Sequence, residues 1–135
     1  MSQFTLHPQL EQDCYVVTDL ELCRVLLMNN SHYPWCILVP MRAALREIYE
    51  LKEAEQCLLI GESSRLSRLM MARFAGEKMN VAALGNMVPQ LHVHHIVRRQ
   101  SDNAWPGPVW GRAPALPYSE QEAGSLCETL RTGLR

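Results

Sequence analysis

The segment Pro89-Gln90-Leu91-His92-Val93-His94-His95-Ile96-Val97-Arg98 concentrates the chemistry of the chain, with three of its five histidines inside four residues. In an extended strand successive side chains alternate faces, so Gln90, His92 and His94 share one side and Leu91, Val93, His95 and Val97 the other. Neighbours on one face stand about 6.5–7 Å apart, close enough to surround a ligand and poorly placed to bond one small ion unaided. Three readings compete. In the first, one imidazole attacks a phosphorus while its neighbours donate hydrogen bonds to the developing charge. In the second, the imidazoles bind a metal, but no Asp or Glu lies in 91–98 and no C-x-x-C pair occurs, so the usual zinc spacings are absent. In the third, they occupy the solvent face of a sheet.

The flanking sequence supplies elements that can hold such a strand. Residues 1–13 read as an extended or poorly ordered lead-in, and Cys14–Thr18 as a short strand. Cys23–Met28 (CRVLLM) reads as a buried strand closed by the turn-rich Asn29-Asn30-Ser31. Trp35–Val39 (WCILV), stopped by Pro40, is a second, and the short connection makes the two an antiparallel hairpin. Helical spacing begins near Leu45, briefly to Tyr49, then runs from about Glu53 to Phe74 through Leu59, Leu66, Leu69 and Met70, with Gly76 as the expected C-cap. Met79–Leu84 returns to strand character and ends at the Gly85-Asn86 turn, and Leu91–Arg98 is the last strand. DNAWPGPVWGRAPALP is too rich in proline for a strand interior and reads as an ordered flap over 101–117. Ser119 and Glu122 form a capping box, opening a helix over 119–133 and beyond that aligns Ala123, Leu126, Cys127, Leu130 and Leu134. The order predicts an α+β fold, helices packed against an antiparallel sheet.

At 135 residues the chain has the length of one domain, 1–135, and with 47% hydrophobic and 20% charged residues it can bury a core without disulfides or metal. Thirteen Lys and Arg against 14 Asp and Glu give a net charge of −1, so no global field attracts nucleic acid and anion binding must be local. The five cysteines (Cys14, Cys23, Cys36, Cys57, Cys127) are odd in number and widely spaced, which fits reduced thiols in the cytoplasm. Cys23, Cys36 and Cys57 sit among apolar residues and read as buried. No targeting signal and no membrane span are expected.

The histidine strand resembles the signature of the histidine triad superfamily, nucleotide hydrolases and transferases with the motif His-φ-His-φ-His-φ-φ, where φ is apolar. His92 takes the central position, His94 the third, and Gln90 that of the first histidine. The likeness covers roughly residues 20–100: RVLLMNN…PWCILVPMR is similar to the family's first strand, polar turn and second strand, and MNVAALGN…PQLHVH to its Asn-bearing strand and the turn before the triad.

The resemblance implies that His92 attacks the α-phosphorus of a nucleotidyl substrate, a dinucleoside polyphosphate or nucleoside phosphoramidate. A nucleotidyl-histidine forms and water then releases AMP or GMP. His94 would hydrogen-bond the phosphate oxygens, Asn29 or Asn30 would hold the ribose hydroxyls, and Asn80 and Asn86, flanking Gly85, would contact phosphate and leaving group. Asn29, Asn30 and Asn86 also sit at turns, where Asn is favoured for backbone reasons. A two-fold homodimer is implied, while no cofactor or obligatory metal is expected. An alternative from another class is a nucleotide-binding regulatory module with little or no turnover.

The departures from the family pattern are specific. Gln90 can orient and hydrogen-bond a phosphate but cannot act as an acid. Trp35 stands where relatives commonly carry a further histidine, with His32 nearby as a substitute. His95 should be packed or capped on the opposite face. Arg98, Arg99 and Arg112 against Asp102 leave a local positive excess suited to a phosphate. Trp105 and Trp110 either pack over the core or wall a leaving-group site.

Overall fold

The computed structural model describes residues 3–135. The chain folds as α1 (Pro8–Asp13), β1 (Cys14–Asp19), β2 (Cys23–Met28), β3 (Trp35–Pro40), a 3₁₀ turn (Ile48–Glu50), α2 (Glu53–Arg73), β4 (Lys78–Ala82), β5 (Val93–Arg98) and α3 (Glu120–Leu134). The five strands form one antiparallel sheet in the order β1-β2-β3-β5-β4. This is the expected α+β architecture, and β2 and β3 make the expected hairpin. The histidine strand β5 is interior, paired with β3 through Ile37↔His94 and with β4 through Ala82↔His94. Among the described residues no helix is long and apolar enough to cross a membrane.

Alternation along the interior strands builds a different core on each face. On one side Val93, Val97, Cys36 and Leu38 meet Leu59, Leu66 and Met70 of α2 and Cys127, Leu130 and Leu134 of α3. Each fully buried large aliphatic there contributes roughly 1.5–3 kcal/mol relative to exposure. On the other side Trp35, Ile37 and Ile96 lie under no long helix and are covered by Leu6, Leu10, Tyr33, Val88, Ala104 and Val109. Irregular chain can be displaced or shaped without dismantling a helix, so this second face is the one able to hold a site.

Capping residues place the helices. Ser119 and Glu122 form the expected reciprocal box at the start of α3. At the end of α2 the left-handed residue is Ala75 (φ 50°), not Gly76. Gly76 instead donates to the Met71 carbonyl at 3.0 Å, a Schellman-type closure. A Cβ on Gly76 would lie 2.5 Å from Met71 Sδ and 2.6 Å from Val97 Cγ1, so close packing on β5 demands the glycine. Buried Glu62 of α2 accepts from the backbone N–H groups of Leu22 and Cys23, both at 2.9 Å, tying the β1–β2 turn to the helix.

Several boundaries differ from expectation. The lead-in is not extended throughout: His7 caps α1, its Nδ1 accepting from Gln9 N–H, and Pro8 starts the helix. Six residues are too few to display a helical period, which is why the element was not legible. The helix expected over 45–49 is the 3₁₀ turn, closed by Glu50 accepting from the Arg46 and Glu47 N–H groups. Strand β4 ends at Ala82 and β5 starts at Val93, so Leu91 and His92 stand just outside the ladder. Cys57 is exposed on α2, whereas Cys23, Cys36 and Cys127 are buried. Burial raises the thiols of Cys14, Cys23, Cys36 and Cys127 above the usual range, so these four are poor thiolates.

Candidate functional site

His92 enters from the loop ahead of β5 and is 5% exposed. Its Nδ1 lies 2.7 Å from the Gln90 carbonyl. A carbonyl only accepts, so Nδ1 carries the proton and Nε2 keeps its lone pair, the form an imidazole nucleophile requires. Gly85 packs against this ring. A Cβ there would fall 2.7 Å from the Val88 carbonyl and 3.3 Å from His92 Cε1, so only glycine lets the turn approach so closely.

His94 has the opposite tautomer. The indole Nε1–H of Trp35 donates to His94 Nδ1 at 3.0 Å. An indole N–H only donates, so the neutral ring holds its proton on Nε2. That Nε2 is buried and has no hydrogen-bond partner among the described residues. Burial, reinforced by the neighbouring His92, pushes the His94 pKa down to about 4, so the ring is neutral near pH 7. The two rings meet edge to face with centroids 4.9 Å apart. A ring with a free nitrogen lone pair thus packs against a ring whose N–H has no acceptor among the described residues.

The walls come from segments far apart in sequence. Trp110 of the 101–117 flap packs edge-on to His94 at 5.0 Å and to Trp35 at 5.7 Å. Together with Leu84, Val88, the α1 cap His7 and Leu10 of α1 it encloses a cleft of about 490 Å³ containing His92 and His94. A smaller recess of about 120 Å³ adjoins His92, bordered by Gly85, Asn86, Gln90 and Arg46. Another, of about 350 Å³, lies between Asn29, Asn30, Trp35 and Trp110.

His92 and Asn86 therefore border both the cleft and the recess, with His94 on the cleft and Gly85 on the recess. Gln90 borders the recess beside His92 and not the cleft that contains both histidines. Its side-chain oxygen accepts from His7 N–H at 2.8 Å and its amide donates to the Thr5 carbonyl at 2.9 Å, so it clamps the N-terminal segment. Asn80 is likewise engaged elsewhere, accepting from Arg98 Nη1 at 2.8 Å. Asn29 borders the recess beside Trp110, but its oxygen accepts from Tyr118 N–H, and Asn30 accepts from His32 N–H and Leu116 N–H. Both asparagines anchor the flap. His32 is held by Pro114 and Asn103 and does not replace the residue at Trp35.

Two further expectations concern charge and the third histidine. Arg98 adds no free positive charge: it is 1% exposed and its guanidinium is paired two-pronged with Asp102 at 2.8 and 3.0 Å. The Arg98 guanidinium and the N–H groups around it hold the Asp102 pKa down to about 2. His95 faces α2, fully buried, its Nδ1–H donating to the Val93 carbonyl and its Nε2 accepting from Ser63 Oγ–H at 2.7 Å. The residue that sequence reasoning underrated is Trp35. Its indole selects the His94 tautomer, and the only signal was its alternation with Ile37 on β3, which cannot reveal the facing strand.

An antiparallel sheet carrying paired imidazoles of opposite tautomer beneath a loop-walled cleft defines a class of single-sheet histidine proteins able to work on a phosphate. The HIT domain family model matches residues 9–101, and the chain belongs to that family. It is similar over nearly its whole length to solved histidine triad proteins. One from Marinobacter aquaeolei VT8 is 54% identical, covers 98% of this chain and 97% of its own, and superposes with a TM-score of 0.95. One from Bradyrhizobium japonicum is 42% identical, with coverage of 99% and 100% and a TM-score of 0.96. One from Sinorhizobium meliloti 1021 is also 42% identical, with 96% coverage of each chain and a TM-score of 0.93. A search among curated proteins found no significant match. Membership of the HIT family implies a nucleotide-binding, hydrolase- or transferase-type function.

Proposed function

We propose that the protein is a nucleotide phosphohydrolase or phosphoramidase acting on the α-phosphate of a dinucleoside polyphosphate or nucleoside phosphoramidate, with His92 as nucleophile. The observation that carries this reading is the bond from His92 Nδ1–H to the Gln90 carbonyl at 2.7 Å, which leaves Nε2 free to attack. His92 Nε2 bonds to phosphorus as the bond to the leaving oxygen or nitrogen breaks, and the electron pair departs with that atom. His94 Nε2–H, buried without a partner, donates to a phosphate oxygen as charge develops, an interaction worth roughly 2.7–4 kcal/mol at comparable sites. Water then attacks the nucleotidyl-histidine, breaking the P–N bond and releasing nucleoside monophosphate. In this reading Asn86 and Gly85 contact phosphate, and Asn29 and the walls beside Trp110 receive the nucleoside. The chain acts as one domain, paired as a two-fold homodimer in the cytoplasm.

A second reading, a nucleotide-binding module with little turnover, is favoured by Gln90. It cannot supply a proton, and its amide is already engaged by Thr5 and His7. Diadenosine polyphosphates and adenosine phosphoramidate separate the two. The enzyme reading expects nucleotide release and, after rapid quenching, an adenylyl adduct on His92, both lost in His92→Asn. Tight nucleotide binding with no release from any substrate would establish the module instead.

A further inference from the structure

We propose that His7 is a third imidazole of the site, donating a hydrogen bond from Nε2 to the leaving atom of the substrate. The inference rests on His92 being the nucleophile. His7 borders the same cleft as His92 and His94 although 85 residues separate it from His92. Gln90 couples the two: its side-chain oxygen holds His7 N–H at 2.8 Å while its backbone carbonyl holds His92 Nδ1–H at 2.7 Å. The His7 ring has a defined tautomer as well. Gln9 N–H donates to its Nδ1 at 3.0 Å, so the neutral ring bears its proton on Nε2.

The division of labour follows from what each neighbour already does. His92 offers a lone pair, and His94 Nε2–H stands beside it for a phosphate oxygen. The Gln90 amide is occupied by the Thr5 carbonyl. Of the ionisable groups around His7, Asp13 borders the cleft with its carboxylate held by the Gln9 amide at 3.0 Å, and Glu11 lies on the same short helix. His92 and His94 line the same cleft. As His92 Nε2 bonds to phosphorus, the bond from phosphorus to the bridging oxygen breaks and its electron pair stays on that oxygen. His7 Nε2–H donates to this oxygen and keeps its proton. Such a donor strengthens as negative charge accumulates, so it matters most when the leaving oxygen is basic.

The test compares phenyl and p-nitrophenyl esters of adenosine 5′-monophosphate in the parent protein and in His7→Asn. Asn is a strong N-cap, so this variant keeps α1 capped while withdrawing the imidazole. The expected result is that kcat/KM for the phenyl ester falls at least about tenfold more than for the p-nitrophenyl ester, and that His7→Gln, with its longer amide donor, recovers part of the difference. A purely structural role would lower both esters alike, and equal loss, or no loss, overturns the inference. Trapping the adduct separates the two levels. An adenylyl-His92 adduct with uniform loss rejects the role of His7 alone, whereas no adduct from either ester in the parent protein rejects His92 as nucleophile and the His7 inference with it.

Discussion

Trp35 and His94 are 59 residues apart in sequence, and a single 3.0 Å bond from the indole N–H to Nδ1 determines which nitrogen of His94 carries the proton. Trp35→Phe retains most of the packing and removes that donor. The orphaned Nδ1 should cost about 1–3 kcal/mol of stability. The ring becomes free to place its proton on either nitrogen, and loss of an aligned donor predicts a fall in kcat of roughly 10²-fold. Imidazole nitrogen NMR reads the tautomer directly. A His94 that keeps Nε2–H in the variant would show that the indole does not govern it.

Acid should loosen the fold in two separate windows. His94 and His95 are both pushed from 6.5 to about 4 by burial. The unfolded chain therefore takes up these protons as pH falls through 6.5 while the native state refuses them until near 4. Stability is complete above about 6.5 and declines toward 4, by at most about 3 kcal/mol for each ring. Asp102, lowered from 3.8 to about 2, adds a further loss only between those values. Urea unfolding from pH 7 to pH 3 should show the first decline, with a shallower slope in His95→Gln. A flat profile between pH 6.5 and 4 would contradict the buried neutral rings.

Gly85→Ala forces a Cβ to 2.7 Å from the Val88 carbonyl and 3.3 Å from His92 Cε1. Backbone cannot yield as a side-chain tip does, so the turn must shift and carry the imidazole with it. A displacement of this kind predicts a loss in kcat/KM of about 10²-fold, far out of proportion to the change in unfolding midpoint. Parent-like kinetics would mean the turn does not position His92.

Arg98 and Asp102 hold the flap to β5. Their side chains are 2% and 9% exposed, and Asp102 also accepts from the N–H groups of Arg99, Ala104 and Trp105. Asp102→Ala leaves a buried guanidinium without its partner, with an expected cost of about 3–5 kcal/mol. Because the flap also carries Trp110, fluorescence of the tryptophans should change below the unfolding transition. A loss under 1 kcal/mol by denaturant titration would argue that solvent reaches the pair.

His95 and Ser63 show how far a local rule extends. Period-two alternation separates His95 from His92 and His94, and the structure buries His95 against Ser63 of α2. His95→Gln should therefore affect stability more than turnover, the reverse of His92→Asn. The long helix, the β2–β3 hairpin and the Ser119–Glu122 box were legible for the same reason: each depends on residues a few positions apart.

What the sequence determined by itself was the five strands, the two long helices and the face of each histidine, because helical and strand periods and capping pairs are encoded in short-range order. The tertiary structure alone decided what the polar side chains do. Gln90 is aligned with the histidines by spacing, yet it bonds Thr5 and His7, more than 80 residues away in the chain. Asn80 and Arg98, both promising for a phosphate, satisfy each other and Asp102 instead. A buried donor or acceptor must find a partner, and which partner it meets depends on how β3, β5, the flap and the N-terminal segment come together, which no local period records.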